Sequence, residues 1–202
     1  MRLGPDQEHG DGMSAPTTGP AREPGDVTTA AARPGLIVVS GRPGAGKTTL
    51  AHAVARGVGC PAVCRDEIRE GIVHAGTPDP EMRHTFETFF AALRFFLNAG
   101  VTVVAEAAFQ DHLWRPNLTP LAATAEIRVI RCEVDPALAR ERMISRRAAD
   151  PVRAIHQERD VPVREHAPIA MDVPTLVVDT TDGYSPALPA IVSFAAGRST
   201  GR

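Results

Sequence analysis

Short apolar-rich runs alternate along the chain with stretches in which apolar residues recur every three or four positions. The runs are Leu36–Ser40, Pro61–Arg65, Val101–Ala105, Ile127–Cys132 and Thr175–Val178. Leu36–Ser40 is apolar at successive rather than alternate positions, as expected of a strand covered on both faces, and the other apolar runs read as strands beside it. Between them the pattern predicts helices over Thr48–Arg56, Asp66–His74, Glu81–Asn98 and Asp111–Thr124, one opening at Pro136, and a last one over Pro186–Ala196. Gly57 and Gly59 stop the first helix, Gly100 stops the third, and Pro136 suits a first helical turn. Strands alternating with helices predict an α/β fold: a five-stranded parallel sheet with helices on both faces.

Six of the seven phenylalanines lie between Phe86 and Phe109. Phe86, Phe89, Phe90, Leu93, Phe96 and Leu97 share one helical face, which predicts a core-facing stripe. Residues 1–34 are different in kind. Pro5, Pro16, Pro20, Pro24 and Pro34 break the segment, and it holds almost no large apolar side chains. Such a stretch cannot bury enough surface to offset its ordering entropy, so it is expected to be a disordered tail ahead of one folded domain, residues 35–198.

Charge narrows the classes of function. Lys+Arg number 22 against 24 for Asp+Glu, a formal net charge of −2, so no overall basic field for nucleic acid and no polybasic membrane anchor is present. Cys60, Cys64 and Cys132 show neither a disulfide framework nor zinc-finger spacing, and they are expected as reduced thiols. No apolar run approaches the ~20 residues of a membrane span, and the start lacks a secretory apolar region. The expectation is a soluble, cytoplasmic protein. Of the 22 cations only one is a lysine, Lys47.

That lysine sits in Gly41-Arg42-Pro43-Gly44-Ala45-Gly46-Lys47-Thr48, followed by Thr49, which fits the phosphate-loop pattern G-x-x-x-x-G-K-[ST] in full. Glycines let the backbone wrap a phosphate with its N–H groups pointing inward, and the helix that follows adds the positive end of its dipole. Lys47 would neutralise the β- and γ-phosphates, and the Thr48 hydroxyl is a hard oxygen ligand for Mg²⁺. The strand before the motif and the helix after it are the context that the pattern requires. ATP with Mg²⁺ is the expected ligand.

Just past the second strand comes Arg65-Asp66-Glu67-Ile68-Arg69. In a doubly wound sheet, ligands bind beyond the carboxyl ends of the strands. Asp66 is therefore a candidate base for the proton of an attacking hydroxyl, with Arg69 one helical turn on as a clamp for the acceptor. The alternative is a helix cap and a surface ion pair. Together, the phosphate loop and Arg65-Asp66-x-x-Arg69 resemble the small P-loop kinases of the polynucleotide-kinase-like group. Many of its members are known as AAA-type ATP-binding proteins, and it is related to chloramphenicol phosphotransferase and the zeta-toxin sugar-nucleotide kinases. The resemblance spans about Leu36 to Phe194. It implies a P-loop kinase fold, with the residue at Asp66 as general base and the residue at Arg69 on the acceptor.

Glu106 ends the third strand where similar kinases usually carry aspartate, and it is expected either to hold Mg²⁺ through water or to pair with Arg69. Arginines crowd the helix after Pro136: Arg140, Arg142, Arg146 and Arg147, with Arg153, Arg159 and Arg164 beyond. The resemblance implies a lid over about 136–168, in which Arg142 and Arg146, four apart, meet the adenine and the triphosphate. Arg146 then joins Lys47, Asp66 and Arg69 among the catalytic groups. The alternative for these arginines is a solvated face paired with Glu133, Asp135 and Glu141. Asp179 to Gly183 either borders the adenine or is a simple turn.

The leading expectation is transfer of the γ-phosphate of Mg-ATP to a hydroxyl of a small molecule (an antibiotic or metabolite) or of a polynucleotide 5′ end. Two alternatives stand beside it: a nucleotide-dependent switch without kinase chemistry, and a zeta-toxin-like sugar-nucleotide kinase. No membrane and no obligate protein partner is expected.

Overall fold

A computed structural model describes residues 33–77, 79, 82–149 and 168–198. In chain order the elements are β1 Gly35–Gly41, α1 Lys47–Val58, β2 Ala62–Cys64, α2 Arg65–His74, α3 Arg83–Asn98 and β3 Val103–Glu106. After these come α4 Asp111–Leu118, a 3₁₀ turn Thr119–Ala123, β4 Glu126–Glu133, α5 Pro136–Ala149, β5 Thr175–Asp179 and α6 Leu188–Ala195. The predicted tail falls almost wholly outside the described residues, as does the part of the predicted lid over 150–167. Among the described residues, no helix is long and apolar enough to cross a membrane.

All five strands are parallel, in the order β2-β3-β1-β4-β5. The strand periodicity divides the core in two. Leu36 and Val38 of β1 face one layer with Phe89, Leu93 and Leu118, whereas Ile37 and Val39 face the other with Leu50, Val54 and Ile191. Each of these residues is fully buried, which accounts for the unbroken apolar run. A sheet covered on both faces has no solvent side for polar residues to occupy. On the second face α1 and α6 meet so closely that a Cβ at Gly57 would lie 2.5 Å from a Val192 methyl.

The phenylalanine stripe packs as predicted. Trp114 of α4 receives it, with ring centroids 5.0 Å from Phe86, 5.5 Å from Phe89 and 4.6 Å from Phe109. Truncating a fully buried ring such as Phe89 to alanine costs about 3–5 kcal/mol.

Several boundaries differ from those the pattern predicts. The helix expected to start at Glu81 begins at Arg83, because Met82 takes a left-handed conformation (φ 56°) and Asp79 accepts hydrogen bonds from the backbone of His84 and Thr85. The stretch expected as one helix to Thr124 breaks after Leu118. Pro120 lacks the N–H that would continue the α ladder, and the chain tightens into a 3₁₀ turn. β3 starts two residues late, since the Val101 N–H is used by the Phe96 carbonyl closing α3.

Because every strand runs the same way, all five carboxyl ends open on one side. β1 lies at the centre of the sheet. From its end the chain passes over β3 to reach β2, while β4 lies on the opposite side. Such a reversal of direction leaves a crevice at the strand ends, and the phosphate loop lies in it.

Candidate functional site

The loop between β1 and α1 is shaped by its glycines. Gly41, Gly44 and Gly46 have φ of 150°, 80° and 69°, which side-chain-bearing residues rarely adopt. A Cβ on Gly44 would lie 2.3 Å from the Ala139 carbonyl oxygen, so the loop is seated directly on the backbone of α5. α1 then starts with no side-chain cap and no acidic residue in its first turn. Its free N–H groups and positive dipole end are left for an anion, as phosphate binding requires. By contrast, α2 carries Asp66 and Glu67 in its first turn.

Lys47 is nearly buried. Its Nζ donates to the Arg42 carbonyl at 3.1 Å and lies 3.9 Å from Glu106 Oε1. The Thr48 hydroxyl donates to Glu106 Oε2 at 3.2 Å. Register explains the meeting: Val39 of β1 pairs with Glu106 of β3, which sets the carboxylate beside the start of the loop. Glu106 is 1% exposed. Burial drives its pKa up, Lys47 pulls it part of the way back, and Asp66 adds to the rise. A hydroxyl and a carboxylate side by side are hard oxygen donors that fit Mg²⁺. Glu106 lies beside Lys47 and Thr48, and among the described residues no ion pair joins it to Arg69.

Cys64 of β2 pairs with Glu106, so the chain leaving β2 enters the same crevice. Asp66 follows, its side chain about half exposed and bonded to Arg65, whose Nε donates at 2.9 Å. Partial burial works to raise its pKa, but the Arg65 guanidinium, aided by Lys47 and Arg69, outweighs it and holds the carboxyl below its ordinary value. Arg69 points one Nη to the Met82 sulfur at 3.4 Å, and Arg65 reaches the same sulfur at 3.7 Å. The Nε of Arg69 is buried and has no hydrogen-bond partner among the described residues. An orphaned guanidinium N–H beside a thioether is a donor left for something polar.

The far wall is built by α5 and the turn after β5. Arg142 donates both Nη groups to the Thr180 carbonyl at 3.1 Å, and Nη2 also to the Thr181 carbonyl at 2.9 Å. The buried Thr180 hydroxyl lies 3.0 Å from the Ala45 carbonyl of the phosphate loop and 2.9 Å from that of Glu133. Arg146, one turn on, is exposed. Pro43 on the loop and Thr49 in the first turn of α1 are exposed, while Ala45 is buried against the core. Lys47, Thr48, Glu106, Asp66 and Arg69 thus converge; Arg142 engages the turn after β5.

Two contributors escape sequence reasoning. Asp79 shapes the approach to Met82 by anchoring the start of α3, through contacts five and six residues away that match no local capping pattern. Thr180 braces the loop from 135 residues away. Its only signal is its place in the Asp179–Gly183 turn.

The AAA domain pattern matches residues 36–167. Among solved structures, a candidate kinase of Chloroflexus aurantiacus J-10-fl is similar at TM-score 0.70 and 25% identity, over 82% of this chain and 98% of that one. The adenosine-phosphosulfate (APS) kinase of Mycobacterium tuberculosis, solved with AMPPNP and APS, shares the fold at TM-score 0.59 and 14% identity, over 80% and 97%. A gluconokinase of Sinorhizobium meliloti 1021 does so at TM-score 0.50 and 22% identity, over 82% and 91%. No curated protein matches the chain.

Proposed function

The chain belongs to the AAA domain family and has the fold of the small P-loop kinases, and from that premise we propose that it is an ATP-dependent phosphotransferase acting on a hydroxyl acceptor that carries an anionic group. One observation carries the reading: a carboxylate, Asp66, follows directly on β2, whose Cys64 pairs with Glu106, and so stands in the same crevice as the phosphate loop. A switch that only binds and releases nucleotide needs no such base. The anionic character of the acceptor follows from Arg65 and Arg69, which converge on Met82 with one buried N–H left over. Three free cysteines support a reducing, cytoplasmic setting.

In this reading Lys47 and the N–H groups of the loop and of α1 hold the triphosphate. Thr48 and Glu106 hold Mg²⁺, which when bound neutralises charge on the phosphates. Asp66 accepts the proton of the acceptor hydroxyl as its oxygen bonds to the γ-phosphorus. The bond from that phosphorus to the bridging oxygen breaks, and ADP leaves. Arg69 orients the acceptor, and Arg146 is the residue of α5 assigned to the nucleotide.

The test is a screen of phosphorylated and carboxylated alcohols, with 5′-hydroxyl oligonucleotides in parallel, using labelled ATP. With the acceptor found, Asp66→Asn should lower kcat by ~10²–10⁴-fold and leave ATP affinity nearly unchanged. Near-normal turnover in that variant would end the general-base assignment. Binding of ATP without transfer to any acceptor class would favour the nucleotide switch.

A further inference from the structure

We propose that His52, Cys64 and Glu67 form a binding site for a thiolate- and imidazole-seeking divalent cation of the zinc type. One residue comes from each of three elements: His52 from α1, Cys64 from the end of β2, and Glu67 from the first turn of α2. Their ligand atoms all lie within 4.8 Å of one another. His52 Nε2 is 2.7 Å from Glu67 Oε1 and 3.8 Å from Cys64 Sγ.

These separations are close to those of a tetrahedral zinc site. Bonds of about 2.3 Å to sulfur and 2.0–2.2 Å to nitrogen and oxygen set neighbouring sulfur and nitrogen ligands about 3.6 Å apart, and nitrogen and oxygen about 3.4 Å apart. The thiol and imidazole already stand at that spacing. The half-exposed Glu67 carboxylate, 2.7 Å from the imidazole nitrogen, has to retreat from it by about 0.7 Å.

Without an ion, the Glu67 carboxylate can accept from both the imidazole N–H and the Cys64 thiol; the case for a cation is the donor set itself, sulfur, nitrogen and oxygen within 4.8 Å of one another. The same ring nitrogen faces both the thiol and the carboxylate. A cation between the three atoms satisfies all of them at once. Cys64, 2% exposed, is the floor of the site. His52 and Glu67, with side chains 39% and 44% exposed, leave an entry path and a fourth position for water. The ligand set separates this site from the oxygen pair Thr48 and Glu106, because Mg²⁺ disfavours sulfur and nitrogen. On binding, the metal–sulfur bond forms as the Cys64 thiol gives its proton to solvent. The ion would then tie α1 to the first turn of α2, next to Asp66.

The test uses the reduced, tag-free full chain with Mg²⁺ in excess to fill oxygen sites. Cobalt(II) should bind at one equivalent with thiolate-to-cobalt charge-transfer absorption, and Cys64→Ser should remove that band. Zinc affinity, read by competition with a chromophoric chelator, should fall at least about 10–100-fold in His52→Gln and in Glu67→Gln. Both of these sit at half-exposed positions, so they keep the question answerable if Cys64→Ser does not fold. No charge-transfer band, a band that survives Cys64→Ser, or equal zinc affinity in wild type and variants would each overturn the site.

Discussion

Replacing Gly44 and Gly46 by alanine, one at a time, separates backbone strain from docking of the phosphate loop on α5. Both glycines have positive φ, 80° and 69°, a conformation that costs an alanine about 1–2 kcal/mol. They differ in what the new methyl meets. At Gly46 nothing lies within 4 Å, whereas at Gly44 the Ala139 carbonyl oxygen would be 2.3 Å away and its carbon 2.9 Å away. These are backbone atoms, so no change of rotamer relieves the overlap. Loop or helix must retreat by about 1.1 Å to restore ordinary contact at 3.4 Å. Overpacking of this kind adds about 1–3 kcal/mol. Gly46→Ala should therefore destabilise by about 1–2 kcal/mol, and Gly44→Ala by about 2–5 kcal/mol. Urea unfolding followed by circular dichroism, without nucleotide, measures both. Equal losses in the two variants would refute the seating of the loop on α5.

Glu106 and Asp66 are shifted in opposite directions, so acid inactivation should come in two steps. As pH falls, Glu106, raised above 4.5 chiefly by its burial, protonates first, and Asp66, held below 3.8 against its partial burial by Arg65, protonates last. The upper acid limb of kcat/KM for Mg-ATP should lie above pH 4.5 and persist in Asp66→Asn, displaced only downward because the Asp66 charge that adds to the rise is gone; disappearance of that limb in the variant reverses the assignment. The folding contributions carry matching signs: that of Glu106 declines as pH rises through its raised value, and that of Asp66 is lost as pH falls through its lowered one. Arg142→Ala removes charged hydrogen bonds to the turn after β5 and should destabilise by about 1.5–3 kcal/mol. Arg146→Ala should leave the thermal midpoint alone and raise the apparent KM for ATP, so identical behaviour of the two variants would return both to a solvated face.

What could be read from the sequence was local. The loop pattern with its strand and helix, and the phenylalanine stripe, each depend on neighbours along the chain. Strand order was not legible, because the runs are alike in their apolar character and no run marks its partner. That order decides the surroundings of Glu106: pairing with Val39 on one side and Cys64 on the other sets its carboxylate at Lys47 and Thr48. Spacing put Arg142 and Arg146 on one helix face. It could not show that Arg142 is engaged by carbonyls nearly 40 residues away. The left-handed Met82, which moves the start of α3, rests on Asp79 contacts that no capping pattern describes. His52 carried no signal, since its partners Cys64 and Glu67 lie on other elements.

The central place of β1 has a consequence for how the molecule breathes. A strand paired on both sides, with Leu36 to Val39 fully buried, releases its amide hydrogens only when the whole domain opens. β2 is a three-residue strand at the edge, and α2 contributes no buried residue, so this segment opens at lower free energy. The phosphate loop hangs from the most protected part of the domain, while Asp66 and Arg69 ride on one of the least protected. Substitutions in α2 should therefore alter one wall of the crevice while leaving the protection of β1, and with it the anchor of the loop, unchanged.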